Sequence, residues 1–470
     1  MRRRNFIHSI FWGSLLAGTG FHFRNLQANP FPGSDKPTLV NLLLEGGPDF
    51  RHLFVPEFNA DSKSYGNNYW TARATAHRVA STQESMEARW KQYLRVEKDG
   101  VVFGVHPKAE WLKDAFLAGN VAIINNVKHS TTRDHAHSLL VLQSGDYNTG
   151  RNDRARSGWG GQLAQLAKGR VISMTPFAKL FCNGKHPTNP RDHDNARVLS
   201  GHQIRQFAMY YPEILKTNPD ANGSEAILTR ALRSYYEANR KAIPTNSPYY
   251  RFVQHEQVLR DLGDKLTARL KAVTVPSGVK SLYDNENSIL GNANFGLQLR
   301  NLYDAFASAD ILDFRVGSLA YEGWDSHKNQ MISIEPKFED IFGKGKGLDL
   351  LFQALKKDMP KAHENLVLVV SGEFGRQLMS NGDEGTDHGR GNSILLIGEK
   401  VKGGVYGDMF PANEIQRFRR PNEDIKGLTG LDRVFASVCN WVESGTGDTI
   451  FSNHKSSPLE SGLSLDKILS

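Results

Sequence analysis

Four short segments of this chain gather carboxylates, imidazoles and hydroxyls at spacings that suit metal or anion chemistry. The densest is "VVSGEFGRQLMSNGDEGTDHGRGN", Val369 to Asn392, where Glu373, Arg376, Asp387, His388 and Arg390 lie among glycines. In "YEGWDSHKNQ", Asp325 and His327 are two apart, so in an extended segment both project to one face. A carboxylate beside an imidazole is a hard and borderline donor pair suited to zinc or a similar divalent ion. "KHSTTRDHAHS" places Thr131, Thr132, His135, His137 and Ser138 around a helix start. Ser130, Thr132 or Asp134 suits the cap of that helix. A hydroxyl at a helix N-terminus is also where a nucleophile for an anionic substrate belongs. Finally, "LLLEGGPD" ends in Asp49, a carboxylate that follows a Gly-Gly-Pro turn.

The elements before these segments explain why they would meet. Thr38 to Leu44, Asn120 to Val127, Ile311 to Ala320 and the run "ENLVLVVSG" are short apolar stretches bounded by turn residues. Such runs suit strands buried on both faces of a parallel sheet. "NSILLIGEKV" is a fifth. Amphipathic stretches such as "KAEWLKDAFLAG" and "GLDLLFQALKKDM" alternate with them. The expectation is an α/β fold with a mainly parallel central sheet sandwiched by helices. In such sheets ligands sit beyond the carboxyl ends of the strands, where all four polar segments begin. Two amphipathic segments between about 222 and 275 break the alternation and read as a helical insertion on one domain spanning 36–470.

Composition narrows the function classes. In 470 residues, 39% hydrophobic content allows a sizeable core and argues against global disorder. The net charge of +8 is spread out, and no later block of consecutive Lys or Arg reads as a nucleic-acid arm, so nucleic acid is not an expected partner. Two cysteines, Cys182 and Cys439, exclude a disulfide framework or a cysteine-rich zinc site and read as two buried thiols. The start "MRRRNFIHSIFWGSLLAGTGFHF" joins a basic head to a short apolar stretch that is poorly suited to spanning a membrane. Arg3-Arg4-Asn5-Phe6-Ile7 resembles a twin-arginine export signal, with residues 1–28 as the signal and Ala28 at an imperfect cleavage site. Export to the periplasm or cell surface is expected, with membrane contact only through that signal.

"LLLEGGPD", "GWDSHKNQ", the stretch from Val369 to Gly398 and "VKGGVYGD" together resemble the bacterial family of domain-of-unknown-function 1501 proteins. That family is distantly similar to the alkaline phosphatase and sulfatase superfamily. The resemblance implies an alkaline-phosphatase-like fold with a metal site at the strand ends. It places Asp49 at an early metal-binding aspartate, Asp325 and His327 near a second metal's ligands, and His388 at a late ligand histidine. Where the superfamily pattern has Asp-His, this chain has Glu373-Phe374; Glu can ligate and Phe cannot.

The reading is an exported metal-dependent hydrolase of a phosphate or sulfate ester. The substrate would be an anionic small molecule or a polysaccharide. Asp325, His327 and His388 would hold a divalent ion, zinc by preference, with Asp49 and Glu373 holding a second or orienting the nucleophile. Thr131 or Thr132 would attack, His135 would act as ligand or base, and Arg376 or Arg390 would clamp the anion. The alternative is a non-catalytic scaffold that keeps a degenerate metal site and binds an envelope protein or polysaccharide.

Overall fold

The computed structural model describes residues 35–470 except 99, 151, 154–155, 284–287 and most of 186–261. The expected export signal over 1–28 lies outside the described residues. So does most of the expected helical insertion, of which 262–272 is helical.

The main sheet is built from nine strands. They are β1 (Thr38–Leu44), β2 (Val121–Lys128), β3 (Arg170–Ser173), β4 (Val198–Ser200), β5 (Phe314–Tyr321), β6 (Leu366–Ser371), β7 (Gly391–Ile397), β8 (Gly404–Tyr406) and β9 (Thr429–Gly430). Their order is β8-β2-β7-β6-β1-β5-β3-β4, with β9 also paired to β2. Every pairing is parallel except those of β7, which runs antiparallel to β6 and β2. The sheet is therefore mixed and mainly parallel, inside the α/β class that the apolar runs predict.

Each central strand is buried and mostly apolar because both faces are covered. On β1, Val40, Leu42 and Leu44 enter one core and Leu39 and Leu43 the other. The period-two alternation of strand side chains makes one strand feed both layers. Helices α1 (Glu110–Leu117), α4 (Ala293–Ala307), α5 (Gln330–Phe342) and α6 (Gly347–Asp358) cover the first face. Helices α2 (His135–Ser144), α3 (Trp159–Leu166) and α7 (Leu431–Val442) cover the second. All seven side chains of β1 are buried, and each large aliphatic one contributes about 1.5–3 kcal/mol. A small antiparallel sheet of Phe54–Pro56, Val101–Val105 and Leu94–Lys98 packs beside the first core.

One sequence boundary shifts and one apolar run proves antiparallel. The third apolar run begins as a short helix, Ala309–Leu312; Asp313 turns the chain at φ 51° and the strand starts at Phe314. The fifth run is the antiparallel β7. That reversal matters, because β6 ends and β7 begins at the same edge of the sheet. The 372–390 connection therefore stays over the carboxyl ends of β1, β5 and β6. Among the described residues no helix is long and apolar enough to cross a membrane. Both cysteines are buried and unpaired.

A candidate metal centre at the strand ends

The turn after β1 sets the floor of the site. Gly46 has φ +118° and Gly47 φ +73°, a region that L side chains rarely adopt. A Cβ at Gly46 would lie 2.4 Å from the Asp325 amide, and one at Gly47 2.3 Å from the Phe374 ring. The bare backbone lets both amides reach Glu373. Gly46 N donates to Glu373 Oε1 at 2.9 Å and Gly47 N to Oε2 at 3.2 Å. Arg376 draws the neighbouring loops together: its guanidinium donates to the carbonyls of Gly46, Gly47, Trp324 and Thr386 and to Asp325 Oδ1.

Three imidazoles meet above this floor. His135, in the first turn of α2, places Nδ1 2.8 Å from Glu373 Oε1. His327 places Nδ1 2.9 Å from Asp387 Oδ1, and His388 places Nδ1 2.9 Å from the Arg133 carbonyl. All three partners are oxygens that accept, so in the Nδ1–H tautomer each ring donates outward and turns an Nε2 lone pair inward. Those lone pairs converge on one carboxylate. Asp325 Oδ1 is 3.1 Å from His327 Nε2 and 3.0 Å from His388 Nε2; Oδ2 is 3.4 Å from His135 Nε2. The Nε2 atoms of His327 and His388 are 2.8 Å apart. Lone pairs facing a carboxylate repel unless a cation or an added proton lies among them. Nδ1 held by oxygen acceptors with Nε2 free is the arrangement that metal-binding histidines adopt.

Electrostatics follow from the same contacts. Burial acts to raise the Asp325 carboxyl, but its contacts with His388 and the Arg376 guanidinium outweigh it and hold it at about 2. The hydrogen bond to Glu373 raises His135, whereas burial lowers His388. The Phe374 ring is fully buried and packs 4.8 Å from the His135 ring and 4.5 Å from that of His388, centroid to centroid. Phe374 thus forms an apolar wall that fixes two imidazole planes.

The structure thus brings together Asp325, His327, Glu373, His388 and His135, and it separates the other predicted residues from them. Asp49 caps the short helix Phe50–Leu53 through the Arg51 amide, and its other oxygen is bound by Arg73 and Gln330. Its carboxylate is spent on that buried ion pair, so it is corrected from a ligand to a structural residue. Arg376 is corrected likewise: it is 2% exposed and saturated by loop carbonyls, so it cannot clamp a substrate. Glu373 is fully buried, with both oxygens occupied by two amides and His135; it orients an imidazole rather than facing the open side. Thr131 and Thr132 are exposed on the loop before α2, and neither is hydrogen-bonded to the cluster. Thr132 Oγ1 lies instead 3.3 Å from His137 Nδ1. Arg390 is paired to Asp424.

A second group, unforeseen in the sequence, is also close enough to share an ion. His52, His106 and Glu335 are all buried and converge beneath α5. Their ring partners differ from those above. His52 Nδ1 accepts from Gln330 Nε2 at 3.3 Å, and His106 Nδ1 accepts from the Lys108 amide at 3.2 Å. Each Nε2 therefore carries the proton and faces Glu335 Oε1, at 3.2 Å from His52 and 3.0 Å from His106. The His106 approach is short but poorly aligned. Arg89 binds the same oxygen. An ion there would have to displace two protons beside a guanidinium, so the inward lone pairs around Asp325 make the better metal centre. No local signal announces the buried triad, since its members lie far apart in the chain.

Residues 311–413 match the family described as "Protein of unknown function (DUF1501)". That segment contains Asp325, His327, Glu373, Phe374, Arg376, Asp387 and His388, whereas Asp49 and His135 lie outside it. Among solved structures, the crystal structure of PsFucS1 sulfatase from Pseudoalteromonas sp. is similar over 100% of this chain and 80% of its own, at 10% identity and a TM-score of 0.27. No curated protein matches the chain.

Proposed function

We propose that this chain is an exported, metal-dependent hydrolase of a phosphate or sulfate ester. The observation that carries the reading is the convergence of the His135, His327 and His388 Nε2 atoms on the Asp325 carboxylate. His135, His388 and Asp325 would hold a divalent ion, with His327 as a further donor. Two or three imidazoles and a carboxylate suit zinc with an open position. A divalent ion bound there supplies a Lewis acid for an ester oxygen and lowers the pKa of water toward neutrality.

The remaining roles belong to the chain. Glu373 keeps the His135 proton on Nδ1, Asp387 does so for His327, and the Arg133 carbonyl for His388. Arg376 fixes Asp325 and the three loops. Phe374 excludes water from behind two of the rings. No protein hydroxyl bonds to the cluster among the described residues, so water is the favoured nucleophile over Thr131 or Thr132. The ester class rests on the sequence resemblance to the phosphatase and sulfatase superfamily. Periplasmic or surface location rests on the twin-arginine-like start, and a small-molecule or polysaccharide substrate remains part of the proposal.

A specific observation favours the second reading, a scaffold: Phe374 replaces a ligand and no side-chain nucleophile is aligned. A panel of phosphate and sulfate esters, assayed with zinc-loaded protein, decides between them. Turnover that is lost on chelation and in His388→Ala, with the fold retained, supports the hydrolase. Bound zinc without turnover across the panel supports the scaffold.

A further inference from the structure

The proposed hydrolysis leaves a strip of cations beside the cluster unused. Arg133 precedes α2 and Arg390 precedes β7, and both turn onto one buried carboxylate, Asp424. Arg133 Nη2 lies 3.0 Å from Asp424 Oδ2, while Arg390 reaches Oδ2 through Nε and Oδ1 through Nη2, each at 2.9 Å. Both backbones form the wall of the site: the Arg133 carbonyl receives the His388 ring proton, and Arg390 is two residues beyond His388. The segment "RFRRPNEDIK", 417–426, continues the strip with Arg417, Arg419, Arg420 and Lys426. Arg417 pairs with Glu423 at 2.7 Å, and Arg419, Arg420 and Lys426 are exposed, with Arg419 Nε donating to Asn68 Oδ1 at 3.3 Å. Six cationic side chains thus stand against two carboxylates, Glu423 and Asp424.

The strip is held to the site rather than trailing from it. Leu378 N donates to the Glu423 carbonyl at 2.9 Å, Gln377 bridges to Asp424, and Phe418 is only 3% exposed in a buried cluster with Trp70 and Tyr69. Two guanidiniums on one carboxylate leave positive charge uncompensated, and the exposed cations of the same tethered segment add to it.

We propose that this strip is a subsite for a polyanion, so that the ester at the metal centre belongs to a sulfated or phosphorylated polysaccharide. The ester step rests on the hydrolase reading; the polymer rests on the strip. A lone small anion needs little beyond the ion and one cation. Surplus positive charge on a segment tethered to the site instead gathers repeated negative groups. The one aromatic ring of 417–426, Phe418, is turned inward, so the strip offers charge without a stacking face. That favours a charged glycan over single-stranded nucleic acid, which is gripped by stacking as well as charge.

The test uses the full chain loaded with zinc, titrated with dextran sulfate, uncharged dextran and single-stranded DNA over a range of salt. A variant carrying Arg419→Gln, Arg420→Gln and Lys426→Gln changes only exposed side chains. Dextran sulfate should bind and dextran should not, and the variant should bind dextran sulfate about tenfold more weakly with a shallower salt dependence. Its melting temperature and zinc affinity should equal those of the parent. Unchanged binding in the variant, no binding by the parent, or DNA binding as tight as dextran sulfate overturns the proposal. Zinc affinity is read separately: a parent that binds dextran sulfate but no zinc sinks the hydrolase reading and leaves the subsite standing.

Discussion

Replacing Glu373 by Gln tests the orientation of the imidazoles with a single atom. The carboxylate is fully buried and accepts from Gly46 N, Gly47 N and His135 Nδ1. A glutamine keeps one accepting oxygen and puts an amide donor where the other was. It must then face either the glycine amides or the imidazole proton. Leaving one buried donor unpaired costs about 1–3 kcal/mol. His135 is 37% exposed, so its share is screened and the loss should sit toward the lower end. If the glutamine amide faces His135, the ring moves its proton to Nε2 and the inward lone pair is lost. Partners of this kind alter metal affinity by roughly 10–100-fold. Zinc titration in competition with a chromophoric chelator, beside urea denaturation of the metal-free chain, reads both effects. Unaltered zinc affinity would refute the orienting role of Glu373, and unaltered stability as well would refute its hydrogen-bond network.

Three further perturbations follow from the contacts. Arg376→Met should destabilise by about 3–5 kcal/mol, because it strips four loop carbonyls and Asp325 of a buried partner; a urea midpoint close to the parent's contradicts that. Gly47→Ala should lower stability by about 1–3 kcal/mol, since its Cβ meets the Phe374 ring at a left-handed φ, and a variant as stable as the parent would show that the ring can yield. Acid sensitivity should appear early: burial holds His106 and His129 down at about 4 and His77 well below the usual range. Each titrates near 6.5 when unfolded, so below that pH the unfolded chain binds more protons. Stability should therefore fall by up to roughly 1.4 kcal/mol per pH unit for each histidine between about 6.5 and 4. Denaturant midpoints that stay level from pH 7 to pH 4.5 contradict this.

The sheet was legible where an apolar run had a glycine or polar stop. "TLVNLLL" before Glu45-Gly46-Gly47 and "LVLVVS" before Gly372 became β1 and β6 with those limits. Strand direction was not legible in "NSILLIG", because a strand buried on both faces reads the same either way along the sheet. At the site, Asp325-x-His327 and His388 came together because Asp325 follows the end of β5 and His388 precedes the start of β7 at the same edge of the sheet. Asp49 also follows one, but the chain turns helical at once, and a carboxylate there caps the helix and meets an arginine brought from Arg73. Arg376 looked like a substrate clamp because sequence shows a guanidinium but not the carbonyls that saturate it. The His52, His106 and Glu335 group depends on contacts between residues up to hundreds of positions apart, which no local spacing encodes.

Zinc titration of the parent beside His388→Ala and His106→Gln addresses the central claim, that the ion belongs at the Asp325 cluster rather than in the buried triad. The account predicts one zinc per chain in the parent and in His106→Gln, and none in His388→Ala at the same concentrations. Zinc retained by His388→Ala and lost from a folded His106→Gln would contradict it.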